Sequence, residues 1–296
     1  MKILFAGAYD WANVSNRVAR GINAAAGRQI ARVLTVGGPH PFGYEEDRLS
    51  WAEAAAWARD VTWLISTGDG DYTTLRTIID RLALPNGLRV ATAHVGSAYR
   101  TAYEVYNIAD HNIGFDRRFI GGDLYRFAAD DPRAVPYFAP PHQVTETIEP
   151  LDVARIAHSP SSRAVKGTAE VLAALVDLDV DILEGLTFDE CARRRARCAI
   201  FVDQINDLGG YGASAVEALS VGCVTLGSTK HIHPHVANFY PAPPIIDVTP
   251  QTLRAEVDAL LSNRTELAEL RQASHQWALA CASPTAVGNY WLRYLS

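Results

Sequence analysis

Lysine is scarce in this chain. Three occur in 296 residues, Lys2, Lys166 and Lys230, and arginine carries the remaining positive charge. Acidic residues outnumber basic ones by 33 to 27, for a net charge of −6, and no broad basic block stands out. A chain charged in this way is a poor candidate for a dedicated nucleic-acid or membrane-surface binder. No apolar run reaches the ~18 residues that a membrane-spanning helix needs, which excludes an integral helical membrane protein. The opening segment Met1-Lys2-Ile3-Leu4-Phe5-Ala6-Gly7 is too soon interrupted for a signal peptide and is expected to be a first strand. Cys191, Cys198, Cys223 and Cys281 form no C-x-x-C pair and lie in apolar or helical contexts of the second half. They read as small buried hydrophobes of a reducing compartment, and a cytoplasmic location is the expectation. The glycine fingerprint G-x-G-x-x-G is also missing after the first strand, which argues against a dinucleotide oxidoreductase.

What is present suits a two-domain α/β protein. Hydrophobic residues make up 48% and charged residues 20%, enough for sizeable cores, and the length matches two domains of about 150 residues each. Short apolar runs alternate with helical patterns from one end to the other. Strands are expected over 2–8, 30–36, 61–66 and 88–93, with helices over 13–26, 51–58 and 72–82 between them. The runs are continuous rather than alternating, so both sheet faces are buried and the strands are parallel with helices on either side. Pro132, Pro136, Pro140, Pro141 and Pro150 then crowd together. Proline suits neither helix interiors nor central strands, and 134–150 is read as an interdomain linker. The alternation restarts with strands over 153–157, 180–183, 199–202, 224–226 and 245–248. Helices are expected over 165–175, 188–195, 212–219 and 253–261. The assignment is an N-terminal Rossmann-like domain over 1–150, a second over 151–283, and a terminal helix from 284 to 296.

Two segments carry the chemistry. In Asp207-Leu208-Gly209-Gly210-Tyr211-Gly212-Ala213-Ser214-Ala215-Val216-Glu217, a glycine-rich loop follows a strand and opens a helix. Free backbone N–H groups of Gly210, Tyr211, Gly212, Ala213 and Ser214, with the positive end of the helix dipole, can hold a diphosphate. Glu217 falls in the second turn, where a carboxylate can accept hydrogen bonds from ribose hydroxyls. In His158-Ser159-Pro160-Ser161-Ser162-Arg163-Ala164-Val165-Lys166-Gly167, another strand leads into a helix. Arg163 and Lys166 stand three apart there, so both cations can point toward phosphate oxygens.

Together these segments resemble the C-terminal half of GT-B glycosyltransferases, above all the large retaining family that uses nucleotide-sugar donors. In that family the Arg and Lys of the basic pair contact the donor diphosphate, which implies these roles for Arg163 and Lys166. The family's Glu-x7-Glu motif contacts sugar and ribose; Glu217 matches the second glutamate, while Gly209 stands where the first belongs. Asp207 is the candidate to replace it, and Asp203-Gln204 ahead of the glycine turn resembles one branch of the superfamily. The resemblance implies two Rossmann-like domains facing across a cleft, with the terminal helix crossing back to the N-terminal domain. It also implies a histidine near the transferred sugar, and His94, at a predicted strand end, matches that place. The expected catalytic groups are therefore His94, Arg163 and Lys166, with no metal and no cofactor beyond a UDP- or GDP-linked sugar as co-substrate.

The implied activity is transfer of a hexose to an acceptor hydroxyl with retention. A nucleotide-sugar epimerase or hydrolase, or a non-catalytic nucleotide-sugar-binding protein, are the alternatives. The acceptor class is open among lipid, polysaccharide, protein and DNA base, the last not favoured by the charge. His231-Ile232-His233-Pro234-His235 has the spacing of metal ligands but reads as a polar loop. The run Arg193-Arg194-Arg195-Ala196-Arg197 reads as a solvated helix face or a contact for an acidic partner rather than a nucleic-acid site.

Overall fold

The computed structural model describes residues 1–10, 13–37, 47–67, 72–94, 96–142, 144–151, 154–206 and 211–296. The chain divides into two compact units, Met1–Pro140 with Pro284–Ser296, and Pro141–Ser283. The division falls earlier than the boundary expected at residue 150. The segment after Pro141 packs within the second unit: Thr145 O accepts from His275 Nε2 at 2.8 Å, and Glu149 O from Arg271 Nη2 at 3.0 Å.

Unit 1 runs β1 (Ile3–Gly7), α1 (Val14–Ala26), β2 (Ala31–Thr35), α2 (Trp51–Ala58), β3 (Trp63–Thr67), α3 (Tyr72–Leu82), β4 (Arg89–His94), α4 (Gly96–Ile113), β5 (Arg117–Gly121) and β6 (Ala134–Tyr137). The strands pair in parallel in the order β2-β1-β3-β4-β5-β6. β1 is buried at every position, as a parallel strand covered on both faces must be. The segment expected to begin a linker is thus a strand. Pro136 sits opposite Ile120 on the edge strand β6, a position that tolerates the missing N–H.

A helix beyond unit 2, Pro284–Leu295, completes unit 1; as the last helix of the chain it is α11. Trp291 is its anchor. Fully buried, it stacks on Phe119 at 3.8 Å and meets Phe5 and Tyr137 edge-on at 5.7 and 5.1 Å. Such aromatic pairs add about 0.5–1.5 kcal/mol each beyond burial. The Trp63 indole donates to Leu295 O at 2.7 Å, and the Tyr290 hydroxyl to Pro136 O. α11 crosses α1 where two glycines meet: a Cβ on Gly288 would lie 2.0 Å from Gly21 O and 2.8 Å from Ala25 Cβ. Gly288→Ala is expected to lower unfolding free energy by about 1–3 kcal/mol through this overlap. Urea denaturation of both proteins checks it, and an unchanged midpoint would show that the crossing relaxes freely.

Unit 2 runs β7 (Ile156–His158), α5 (Arg163–Lys166), α6 (Thr168–Ala174), β8 (Val180–Ile182), α7 (Phe188–Arg195), β9 (Ile200–Val202), α8 (Ala213–Ser220), β10 (Val224–Gly227), β11 (Ile245–Asp247), α9 (Leu253–Ser262) and α10 (Arg264–Trp277). Its parallel sheet has the order β11-β10-β9-β7-β8. Ile156, Ile200, Val202, Val224 and Leu226 form its core with Leu253 and Val257 of α9. The single helix expected over 165–175 is two, broken at Gly167, whose φ of +69° ends α5. Cys198 and Cys223 are buried, and burial pushes their thiols up to about 11 and about 12. Among the described residues, no helix is long and apolar enough to cross a membrane.

Candidate functional site

Three of the sequence-predicted groups of unit 2, Lys166, Gly212 and Ser214, gather around Asp203. It follows β9 directly and is 2% exposed. Its backbone N–H donates to Leu226 O at 2.8 Å, which fixes the side chain at the C-terminal end of the sheet. Lys166 Nζ donates to Asp203 Oδ1 and, at 3.3 Å, to Ser214 Oγ. The Ser214 hydroxyl donates to the same carboxylate at 3.0 Å, and Gly212 N–H to Oδ2 at 3.3 Å. Gly212 is the N-cap of α8 and has no side chain to cap with, so Asp203 supplies the anion that the helix start attracts. Burial alone would raise the Asp203 carboxyl. The Lys166 charge and the three hydrogen bonds outweigh that and hold it below the usual carboxylate range.

Lys166 is delivered to this point by the short helix α5. Asn206 Nδ2 donates to Ala164 O and Val165 O at 3.1 and 2.7 Å, capping the helix where Gly167 turns away. His158, at the end of β7, ties the elements together. Its Nδ1 lies 2.8 Å from Val202 O, an atom that only accepts, so Nδ1 carries the proton and Nε2 accepts from the Thr168 hydroxyl at 2.9 Å. Burial, with Lys166 and Arg163 adding to it, pushes this imidazole down and keeps it neutral.

Other expected residues are placed elsewhere. Arg163 does not share the surroundings of Lys166: its side chain is 57% exposed and forms a two-pronged pair with Glu184, closest at 2.6 Å. Glu217 accepts from Arg195 Nη1 at 2.7 Å, both side chains being buried. Tyr211 is buried with its hydroxyl 2.7 Å from that of Tyr240, so only its backbone could face a ligand. Ala213 opens α8 and is partly exposed. Gly210, with Asp207, Leu208 and Gly209, lies outside the described residues.

The arginine run is not a uniformly solvated face either. Arg193 is exposed beside Glu190 and Arg194 pairs with Asp181, but Arg195 turns inward, 3% exposed, over the Phe201 ring. A buried guanidinium needs a carboxylate, and Glu217 is that partner.

In unit 1, His94 ends β4 as expected, but its ring is 2% exposed. Nε2 lies 2.8 Å from Asp110 Oδ2 and 3.2 Å from Thr92 Oγ1, and the ring stacks on Tyr99 at 4.6 Å. Arg118 Nε donates to the same Asp110 oxygen at 2.7 Å, and the Tyr72 hydroxyl to the other. Burial would raise the Asp110 carboxyl; His94, Tyr72 and Arg118 together hold it down. The imidazole therefore belongs to a buried polar network.

HepE from Anabaena, solved in complex with UDP, superposes with a TM-score of 0.69 at 10% identity, covering 100% of this chain and 99% of that one. The fold is GT-B. Sucrose-phosphate synthase from Thermosynechococcus elongatus matches with a TM-score of 0.66 at 10% identity over 100% and 98% of the two chains. A glycosyltransferase from Rickettsia africae matches at 0.61 and 10% over 99% and 97%. No family model and no curated protein matches the chain.

Proposed function

We propose that this GT-B protein transfers a hexosyl group from a nucleotide-diphosphate sugar to an acceptor hydroxyl, with retention and without a metal. One observation carries the reading: Lys166, Ser214 and the N-terminus of α8 converge on a single anion position, in a fold shared with a protein that binds UDP. A departing diphosphate gathers negative charge, and an ammonium, a hydroxyl and backbone N–H groups at one point stabilise that charge. Asp203 occupies the Lys166 ammonium in the free protein, so the donor phosphate competes with a carboxylate for it. Arg163, already oriented by Glu184, is the second cation of the donor site. Glu217, held by Arg195, is the group for the ribose. His94 enters as a positioning residue that fixes the end of β4 through Asp110. In this reading Lys166, Arg163 and the helix end stabilise the phosphate charge in place of a divalent ion.

The engagement of Lys166 by Asp203 favours one second reading, a nucleotide-sugar-binding protein without transfer. Calorimetry with UDP and GDP, followed by release of nucleoside diphosphate from UDP- and GDP-linked hexoses, separates the two. Release that depends on added acceptor and persists in excess chelator is the expected result. Binding without release supports the second reading, and no binding of either nucleotide refutes both. Activity abolished by chelator and restored by a divalent ion would overturn metal independence.

A further inference from the structure

At the C-terminal edge of the unit 1 sheet, the start of α1, β3, β4, β6 and α11 enclose a small cavity. Three of its lining residues carry a buried polar atom with no hydrogen-bond partner among the described residues: Thr67 Oγ1, Tyr137 Oη and Trp291 Nε1. Leaving such an atom unpaired is costly, about 1–3 kcal/mol, and three around one cavity are not explained by packing. Tyr137 and Trp291 are 1% and 0% exposed.

A fourth group completes the lining. Asp10 is 5% exposed, and its carboxylate accepts from Ser15 N–H at 2.7 Å and from Asn16 N–H and Nδ2 at 2.9 Å each. The Ser15 side chain is a further partner of this carboxylate, which supplies the negative charge of the lining. Burial raises the Asp10 carboxyl, and burial with the nearby Asp10 charge raises the Tyr137 phenol, which stays protonated and able to donate.

The chemistry of this set is selective. Trp291 Nε1 can only donate and Asp10 as a carboxylate can only accept, while Tyr137 and Thr67 can do either. An anion would meet Asp10, and a cation would meet the indole N–H. A hydroxyl fits, since it donates once and accepts twice. About 10 Å³ is open to the centre of a water-sized group, enough for one oxygen. Phe5, Val14, Val18 and Ala93 give it apolar walls, as the carbon bearing a hydroxyl requires, and Ser15 also lines it. Tyr9, 47% exposed, lines the cavity and marks its opening to solvent.

We infer that this cavity binds one hydroxyl of a neutral alcohol, a sugar or polyol, between Tyr137, Trp291, Thr67 and Asp10. The site lies wholly in unit 1 and owes nothing to nucleotide binding by unit 2. The Trp291 indole N–H is its reporter, identified in ¹⁵N-labelled protein by its loss in Trp291→Phe. Ethylene glycol should move that resonance saturably, whereas 1,2-dimethoxyethane, which has no hydroxyl to donate, should not. Tyr137→Phe should weaken glycol binding about tenfold and raise the Tm of the free protein, because it removes an unpaired buried hydroxyl. Thr67→Val should act in the same two directions, and both variants should bind UDP as the parent does. A Trp291 resonance unmoved by glycol overturns the inference. So does a lowered Tm in both variants, which would mean that the cavity holds water only.

Discussion

Lys166→Met is expected to abolish nucleotide binding and to lower unfolding free energy at pH 7 by about 3–5 kcal/mol. The size follows from what is left behind. Lys166 is the only cation bonded to Asp203 among the described contacts, and breaking a buried pair by removing one partner strands the other charge. The pH dependence has a definite sign. The folded-state pKa of Asp203 is depressed, so the pair contributes stability above the unfolded carboxylate value of about 3.9, and this is lost as pH falls through the folded value. Without Lys166, burial instead raises the carboxyl, and the deficit should shrink in acid as Asp203 takes up a proton. Urea unfolding at pH 7 and pH 4 measures both quantities. Lys166→Met combined with Asp203→Leu should recover most of the stability, since an apolar pair of similar volume replaces a buried ion pair at little cost. Nucleotide binding should stay absent in the double variant. Binding regained with stability would reduce Lys166 to a structural cation.

The alternation of strands and helices was legible because buried parallel strands are apolar at successive positions, as β1 and β3 are. It failed at β5, which begins with Arg117 and Arg118, because charge hides a strand whose arginine is paired inside the fold. Pro136 hid β6 for a different reason: edge status belongs to the sheet and not to the residue. In the site, Lys166 and the start of α8 were readable from strand–loop–helix order. Asp203 was readable in part, as a lone acid closing an apolar strand, but its partner lies 37 residues earlier. Arg195 was not readable. Its burial depends on Glu217, 22 residues away, and nothing in a run of arginines marks which one turns inward. The strand-end place of His94 was visible, whereas its burial is set by Asp110 and Arg118 from other elements.

Those last contacts make Arg118 a sensitive position of unit 1. Its guanidinium is 2% exposed and uses every nitrogen: Nε to Asp110 at 2.7 Å, Nη1 to Asp131 at 2.9 Å, and Nη2 to Tyr99 at 3.4 Å and to Asn107 Oδ1. Arg118→Leu fills part of the volume but leaves a fully buried carboxylate, Asp110, with one cationic partner fewer. A loss of about 3–5 kcal/mol is expected. His94→Ala removes a weaker partner of the same carboxylate and should cost about 1–3 kcal/mol. Because both act on Asp110 Oδ2, their effects should not add; a coupling of about 0.5–3 kcal/mol is expected from the double variant. Among the described contacts Tyr72 would then be the one side-chain partner left to Asp110, and it carries no charge to neutralise it. Additive losses in urea denaturation would mean that His94 and Arg118 act on separate structures. Near-normal stability of Arg118→Leu would mean that Asp110 gives up its charge on burial, and that the network is held by hydrogen bonds alone.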